Sequence, residues 1–403
     1  MISKRLRESL DSSICIRDIF EEGKKLAAIY GAENIFNFTI GNPSVEPPAA
    51  VNEALKEIID TEKPLALHGY PANVGHPEVR NHIANYLNGK YDCNYTEQGI
   101  IMTSGAAAAI VVIANTLLDD GDEVVTFAPY FWEYKSYVET MYGKLVPALC
   151  NMETLQPDPE TFEAALSPKT RFVLINTPNN PTGAVYTKEQ LTELAELACK
   201  HDFYIISDEV YEKLIYEGKK HFCVASISEE VKDRTVVING VSKAYSMTGW
   251  RVGYAAGNAA LIKGMTSLQG HTTSNTCSIA QYAALEAISG PQDSVESMRV
   301  EFDKRRKFLV ERLNSMDGIT CNNADGAFYL MPNMTAFYDK EWNGKKIADS
   351  FGMADYLLAE AKIAVVPGGA FESPDNIRIA YSNSMESLIE GMNRMEAALK
   401  KLG

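Results

Sequence analysis

The chain has 403 residues, of which 46% are hydrophobic and 23% charged, a composition typical of a folded globular protein rather than a disordered one. Its formal net charge of -15 at pH 7 excludes nucleic-acid backbones and anionic membranes as favourable partners. Because one hydrophobic core rarely supports this length, we expect a large domain with a smaller one attached.

The N-terminal residues MISKRLRESLDSS contain no apolar signal segment. The longest apolar stretch, Ala106 to Leu118, contains Asn115 and is too short to span a bilayer. The seven cysteines are scattered without a CxxC pair, so the sequence predicts neither a disulfide framework nor a metal site. We therefore expect a cytoplasmic protein.

Short β-rich runs between Glu123 and Ala256 predict a mainly parallel sheet. They read EVVTF, FVLIN, YIISDEV, TVVIN and VGYAA, and helices or longer connections mostly separate them. Thr187 and Gln190 form the sequence pattern of a capping box at the start of one connecting helix. This alternation is typical of an α/β protein, whose functional residues lie in loops at strand ends.

The pattern changes at Gly290, which Pro291 follows. The charged, periodic stretch 293–316 predicts a long helix that leaves the large domain, and a last helix is expected at about 384–402. Between them, the runs AFYLMP, IAVVP and NIRIAYS predict short strands. The predicted domains are a large α/β domain of residues 46–290 and a small α+β domain of residues 1–45 and 291–403.

Lys243 lies just after the strand TVVIN, in the run NGVSKAYSMTGWR. A lysine amine is a useful covalent catalyst when it forms an imine with a carbonyl, and a strand-end loop is a suitable place for it. Arg251, eight positions later, is the permanent cation that a phosphate beside the lysine would need. Without this motif, a surface lysine and a surface ion pair would be the simpler interpretations.

Asp208 ends the apolar run YIISD, where an acid is costly to bury without a partner. A pyridine ring that withdraws electrons needs such a carboxylate to keep its nitrogen protonated. Tyr211 and Asn180, the latter in NTPNNPTG after the strand FVLIN, are candidate donors to a phenolate oxygen of that ring. Taken alone, NNPTG predicts only a turn.

The run TSGAAAAIVVIANTLL predicts a helix start at which Gly105, Ala106 and Ala107 offer backbone N–H groups to a phosphate. The same small residues also suit close helix packing. Phe131 follows another strand end and is a candidate to stack on a ring, with core packing as the alternative. Arg378 lies within the apolar strand NIRIAYS, where it predicts either a carboxylate clamp for a substrate or a structural salt bridge.

Four motifs, SKAYSMTGWRVGY, NNPTG, SDEVY and RIAYS, resemble in order and spacing those of the class I/II aminotransferases of the aspartate aminotransferase superfamily. The resemblance covers nearly the whole chain. It implies a fold-type I homodimer that uses pyridoxal 5'-phosphate, an α/β fold with a mostly parallel sheet in the large domain, and a ping-pong exchange between an L-amino acid and a 2-oxo acid.

The resemblance also implies roles for the residues in these motifs. Lys243 corresponds to the Schiff-base lysine, Asp208 to the pyridine partner and Arg378 to the clamp for the α-carboxylate. Asn180 and Tyr211 correspond to the donors to the ring oxygen.

Further positions match through their sequence context. Ser242, Arg251 and the loop at Gly105 resemble the phosphate cradle, in which alanines here replace hydroxyl residues common in the family. Gly41, in the run IGNP, would lie over the substrate, and Phe131 matches a stacking aromatic that is often tryptophan in relatives. The run HGYPANVGHPEVR resembles the segment whose tyrosine, here Tyr70, reaches the cofactor phosphate of the partner subunit.

Two other functions use the same fold. A pyridoxal-phosphate-dependent carbon–sulfur β-lyase would need the same lysine, aspartate and arginine, and only its products would distinguish it. A cofactor-binding transcription regulator would need an added DNA-binding domain, but only about forty residues precede IGNP and they contain no basic recognition helix. Aspartate with 2-oxoglutarate is the leading substrate pair, although the sequence shows no unambiguous second arginine for a distal carboxylate.

Overall fold

We describe the fold from a computed structural model, which covers residue 2, residue 31 and residues 34–402. The strands are β1 (Phe36–Asn37), β2 (Ile100–Thr103), β3 (Glu123–Ala128), β4 (Lys144–Leu149), β5 (Thr170–Asn176), β6 (Tyr204–Asp208), β7 (Thr235–Gly240), β8 (Gly253–Ala256), β9 (Tyr329–Leu330), β10 (Glu341–Trp342), β11 (Lys345–Lys346), β12 (Ile363–Ala364), β13 (Val366–Pro367) and β14 (Ile377–Ala380). The α-helices are Ala49–Thr61, Pro64–His68, Pro77–Tyr91, Ala106–Leu117, Glu133–Glu139, Pro159–Ala165, Lys188–His201, Glu229–Asp233, Ala259–Thr272, Ser278–Ser289, Asp293–Asn314, Ser350–Tyr356 and Met385–Leu399.

The central sheet has seven strands in the order β2-β8-β7-β6-β5-β3-β4. All neighbouring pairs from β7 to β4 are parallel, and β8 runs antiparallel to both of its neighbours. The predicted α/β fold with a mainly parallel sheet is therefore confirmed. The predicted runs are β3, β5, β6, β7 and β8, whereas β2 and β4 were not predicted. Strand β4 lies at the sheet edge and contains Pro147, which weakens its sequence signal.

Helices cover both faces of this sheet, so its central strands are buried and read as continuous apolar runs. Ile206 packs in one core cluster with Ile110 and Ile262, which belong to the helices Ala106–Leu117 and Ala259–Thr272. Its neighbour Ile205 packs on the other face with Leu194. Because successive side chains of a strand point to opposite faces, the two clusters lie on opposite sides of the sheet.

The helix Lys188–His201 begins with the predicted capping box. The Thr187 hydroxyl accepts a hydrogen bond from the backbone N–H of Gln190, and the Gln190 side chain accepts one from the N–H of Thr187. The helix ends at Asp202, whose backbone is left-handed with φ 56°. Its local sequence therefore determines where this helix begins.

The C-terminal part of the chain forms a second core around the helix Asp293–Asn314. That helix was predicted at 293–316. The strands β13, β14 and β9 form an antiparallel sheet beside it, and Phe38 from the N-terminal side joins the same buried cluster. This arrangement agrees with an α+β unit, while the domain boundaries at 45/46 and 290/291 stay a prediction. Among the described residues, no helix has the length and apolar character needed to cross a membrane.

Candidate active site

A cavity of about 550 Å³ opens at the carboxyl ends of β5, β6 and β7. Residues from distant parts of the sequence line it, because parallel strands end at the same edge of the sheet. The predicted site residues among its walls are Gly41, Ala106, Ala107, Phe131, Asn180, Asp208, Tyr211, Ser242, Lys243, Arg251 and Arg378. Gly105 lies immediately before this helix start and close to the Arg251 guanidinium. The structure thus brings together all predicted site residues except Tyr70.

Lys243 lies in the loop that follows β7, and its Nζ donates a hydrogen bond to the backbone oxygen of Gly41 at 2.7 Å. Burial, together with the smaller effect of the nearby positive charge of Arg378, lowers the pKa of the Lys243 ammonium from 10.5 to about 8. Near neutral pH, a lysine with this pKa is neutral far more often than a surface lysine. It therefore presents a nucleophilic amine to the cavity.

Asp208 ends β6 and is only 6% exposed. Its Oδ2 accepts a hydrogen bond from the Tyr134 hydroxyl at 2.7 Å, and its Oδ1 accepts one from the Val210 N–H at 3.3 Å. Burial raises the pKa of the Asp208 carboxyl from 3.8 to about 6, although these hydrogen bonds oppose the rise. The carboxylate is thus held in an environment that favours a positively charged partner.

Tyr134 was not predicted as a site residue. It lies in the aromatic run PYFWEY, where a tyrosine is as easily explained by core packing. Its helix, Glu133–Glu139, is short and places the hydroxyl beside the end of β6. Only this contact between two distant segments reveals that Tyr134 orients Asp208.

The hydroxyl groups of Tyr211 and Tyr329 form a hydrogen bond of 2.9 Å in the cavity wall. Tyr329 was also missed, because AFYLMP was interpreted only as a strand. Its hydroxyl approaches the loop at Gly41 so closely that a Cβ atom there would lie 1.8 Å from Tyr329 Oη. Gly41 is therefore needed for this contact, which joins the N-terminal segment to the second core.

Arg378 in β14 is 4% exposed and projects into the same cavity. Its Nη1 donates to Asn180 Oδ1 at 2.9 Å and its Nη2 donates to the Thr39 oxygen at 2.5 Å. Its Nε is buried and has no hydrogen-bond partner, and no carboxylate of residues 34–402 forms a salt bridge with it. The structural salt bridge is therefore not found in this part of the chain. A buried guanidinium without a counter-ion calls for an anionic ligand.

The helix Ala106–Leu117 points its first turn at the cavity without a side-chain cap. Gly105 has φ 90°, a conformation that favours glycine, and a Cβ atom there would lie 2.5 Å from Arg251 Nη2. Arg251 also donates to the Thr248 oxygen at 2.9 Å. Gly253 lets β8 approach this turn, since its Cβ would lie 2.5 Å from the Ala106 nitrogen. Uncapped N–H groups beside an arginine form a suitable anion cradle.

Phe131 and Tyr70 differ in their placement. Phe131 lines the cavity and packs edge-on against Tyr134, with ring centroids 5.5 Å apart. Tyr70 is 93% exposed and does not line the cavity of its own chain. Its proposed role in a partner subunit stays a prediction.

The family model for aminotransferase class I and II matches residues 33–394. The chain belongs to this family. It is 41% identical over 337 residues to the aspartate aminotransferase of Bacillus subtilis, covering 82% of this chain and 84% of that one. The enzyme is thus an aminotransferase, a class that acts on amino acids and 2-oxo acids.

Solved structures agree with this aminotransferase assignment. The aspartate aminotransferase of Rhizobium meliloti superposes with a TM-score of 0.89 at 33% identity and covers 99% of both chains. The aromatic aminotransferase of Pyrococcus horikoshii superposes with a TM-score of 0.85 at 35% identity, covering 92% of this chain and 97% of that one. Relatives with different named substrates therefore share this aminotransferase fold.

We expect Asp208→Asn to stabilise the ligand-free aminotransferase at neutral pH. A buried acid whose folded pKa is raised destabilises the fold above that pKa, and this cost disappears as the pH falls towards the unfolded value of 3.8. A rise to about 6 corresponds to roughly 3 kcal/mol at most. The stability gain, measured by urea unfolding of ligand-free protein, should be largest above pH 6 and shrink towards pH 4. The exposed control Asp120→Asn should show no such gain, and an equal gain at every pH would contradict the explanation.

Proposed function

We propose that this aminotransferase uses pyridoxal 5'-phosphate and transfers the amino group of an L-amino acid to a 2-oxo acid by a ping-pong mechanism. Aspartate is the leading donor and 2-oxoglutarate the leading acceptor. The observation that carries the proposal is the single cavity in which a lysine of lowered pKa, a buried aspartate and a buried arginine without a salt bridge meet.

The residues present fit this cofactor. The uncapped turn at Gly105 and the Arg251 guanidinium suit its phosphate, together with Ser242 on the cavity wall. Asp208 suits its ring nitrogen, because a buried carboxylate favours a protonated pyridine. When bound, pyridoxal 5'-phosphate supplies an aldehyde that links covalently to amines and a ring that withdraws electrons. Lys243 supplies the amine for that link.

The hydrogen bonds that Asn180 and Tyr211 already form leave each of them a donor for the ring oxygen of the cofactor. Asn180 uses its Oδ1 to accept from Arg378, so its side-chain N–H groups can point to the ring oxygen. The Tyr211 hydroxyl can donate to the same oxygen while it accepts a hydrogen bond from Tyr329. Phe131 offers an aromatic face beside the ring. These contacts orient the ring without adding charge.

Arg378 recognises the α-carboxylate of both amino and oxo substrates in this proposal. Its two contacts to Asn180 and Thr39 hold the planar guanidinium at a defined angle, and a carboxylate would neutralise its charge. The substrate is thereby aligned so that its α-proton faces Lys243. Once its amine is free, the Lys243 Nζ would accept this proton and later release it, acting as general base and then as general acid.

We choose aspartate as the leading donor because the chain is similar to proteins named aspartate aminotransferase. Among the described residues, the lysines and arginines of the cavity wall are Lys243, Arg251 and Arg378, and each already has a proposed role. Glu133 lines the same wall and would repel a second carboxylate. A distal carboxylate therefore needs a donor beyond these walls, and aromatic, alanine and branched-chain donors belong in the test panel.

The enzyme should form glutamate from 2-oxoglutarate and an amino donor in a one-to-one ratio with the new 2-oxo acid, and Lys243→Ala should abolish this turnover. Borohydride reduction of the wild type should attach the cofactor to the peptide that contains Lys243. The exposed variant Lys263→Ala should keep full activity. A dominant release of ammonia and thiol from cystathionine would instead support the β-lyase, and cofactor recovered on another lysine would refute the assignment.

We expect Arg378→Lys to raise the KM for every donor and acceptor by a similar factor. Lysine keeps the positive charge but loses the two-pronged geometry, which costs on the order of 1.5–3 kcal/mol, or roughly 10- to 100-fold in kcat/KM. Steady-state kinetics across the donor panel would measure this change, with the exposed Arg171→Lys as the control. A loss limited to dicarboxylic substrates would assign Arg378 to the side chain instead.

We propose further that the enzyme is a homodimer with shared active sites. Tyr70 is exposed in the isolated chain, and the nearby Leu65 is exposed as well, so this segment offers apolar surface to a partner. In a dimer, the Tyr70 hydroxyl would donate a hydrogen bond to the cofactor phosphate of the partner subunit. The uncharged tip of tyrosine suits such an interface position.

Subunit mixing tests the shared site. Lys243→Ala subunits combined with subunits that carry a disabling Tyr70 substitution should form heterodimers with one site that contains both lesions and one that contains neither. Activity should then rise above that of either parent, towards one intact site per heterodimer. No recovery after verified subunit exchange between two impaired parents would show that Tyr70 does not act across the interface.

A further inference from the structure

A second cavity, of about 500 Å³, lies outside the candidate active site. Its walls are strongly basic in a chain whose net charge is -15. The cationic residues that line it are Lys90, Lys213, Lys219, Lys220 and Arg299, and His221 is also part of the wall. Glu212 is the acidic residue among the described lining residues. No step of the proposed transamination uses this cavity.

Three of these cations have acidic partners. Lys90 Nζ lies 3.1 Å from Glu212, Lys219 Nζ lies 3.7 Å from Asp325, and Arg299 Nη2 lies 2.6 Å from Glu296. Two lysines of the wall, Lys213 and Lys220, form no such ion pair with the described residues.

Lys213 and Lys220 form no salt bridge with any acid in the described part of the chain. Lys213 instead donates to the neutral Gln292 at 3.3 Å. Its ammonium and that of Lys90 both lie over the Tyr86 ring, 4.7 and 5.3 Å from the centroid. Burial lowers the pKa of the Lys213 ammonium to about 8; the negative charge of Glu212 opposes this shift and the positive charge of Lys90 adds to it. The ammonium groups of Lys90 and Lys213 are therefore crowded over one ring, with Glu212 as the acidic residue of the wall beside them.

His221 provides an independent observation. Its side chain is 3% exposed, and its Nε2 lies 2.7 Å from Glu209 Oε2. Its Nδ1 is buried and has no hydrogen-bond partner among the described residues. Burial without a partner is costly for a polar nitrogen, and a ligand that forms a hydrogen bond with Nδ1 would remove this cost.

We propose that this second cavity binds a phosphate group, either free or as part of a small phosphorylated metabolite. Lys213 and Lys220 carry the two charges of the wall that form no salt bridge with the described residues, and a phosphate dianion would bring negative charge to both. Lys90, Arg299 and His221 complete the wall around it. Lysine ammonium groups bind phosphate as point charges, so a cluster on several segments suits such a ligand.

The proposed phosphate site shares a loop with the active site. Asp208 and Tyr211 line the first cavity, whereas Glu212 and Lys213 line the second. The segment that starts at the end of β6 therefore lines the first cavity up to Tyr211 and the second cavity from Glu212 onwards. The two sites nevertheless use different cations, which allows them to be distinguished by substitution.

Calorimetric titration of the cofactor-loaded enzyme at constant ionic strength tests this site, because the cofactor already fills the phosphate cradle of the active site. Inorganic phosphate and glycerol 3-phosphate would be used as separate probes. Lys220→Gln, at an exposed side chain of the wall, should raise the Kd about tenfold, which equals about 1.4 kcal/mol. Lys213→Gln should act in the same direction, and the exposed control Lys263→Gln should bind like the wild type.

Similar affinities for the two probes would show that the cavity recognises the phosphate group itself, and tighter binding of glycerol 3-phosphate would identify the phosphorylated metabolite as its ligand. Absence of binding to the wild-type enzyme would refute the proposal. Binding that competes with substrate and is unchanged in Lys220→Gln would place the anion at Arg378 and would also refute it. Tungstate located by anomalous scattering in the second cavity would support it directly.

Discussion

The burial of charged groups that do not neutralise one another is the constraint on which this active site depends. Asp208, Lys243 and Arg378 lie in one cavity, yet the described residues form no salt bridge among them. Loss of hydration shifts the pKa of Asp208 up to about 6 and that of Lys243 down to about 8. Their environment therefore makes the ligand-free site electrostatically unfavourable, and a ligand that carries complementary charges relieves this cost.

The rest of the fold holds these groups in place. Asp208 is the last residue of a buried central strand, and its carboxylate is oriented by Tyr134 from a neighbouring helix. Arg378 comes from β14 in the second core and reaches across to Asn180 after β5. Tyr329, which also belongs to the second core, contacts the loop at Gly41. The site thus depends on the packing of the two cores against each other.

The segment after β6 also contains buried acids whose hydrogen bonds and ion pairs stabilise the structure. Glu209 accepts a hydrogen bond from Ser207 at 2.8 Å and pairs with His221, while Glu212 is surrounded by Lys90 and tyrosine hydroxyls. These two acids are buried and do not line the candidate active site. Their partners stabilise the turn that carries Asp208 and Tyr211. A buried polar network of this kind is stable only when nearly every member is paired.

Local patterns in the sequence determined much of this protein. The apolar strands, the capping box at Thr187 and the long helix at 293–316 depend on contacts between near neighbours, so they were predictable. The strand-end motifs also indicated Lys243, Asp208 and Arg378, because each is a charged residue in or next to an apolar strand.

Only the tertiary structure decided which other side chains contact these groups. Tyr134 and Tyr329 resemble ordinary core tyrosines in sequence, and their roles depend on contacts across 74 and 118 residues. The strands β2 and β4 were missed because short or edge strands carry weak patterns. The second cavity likewise combines Lys90 and Lys213, which are 123 positions apart in the sequence and belong to no common sequence motif. Long-range packing, rather than local preference, places such charges together.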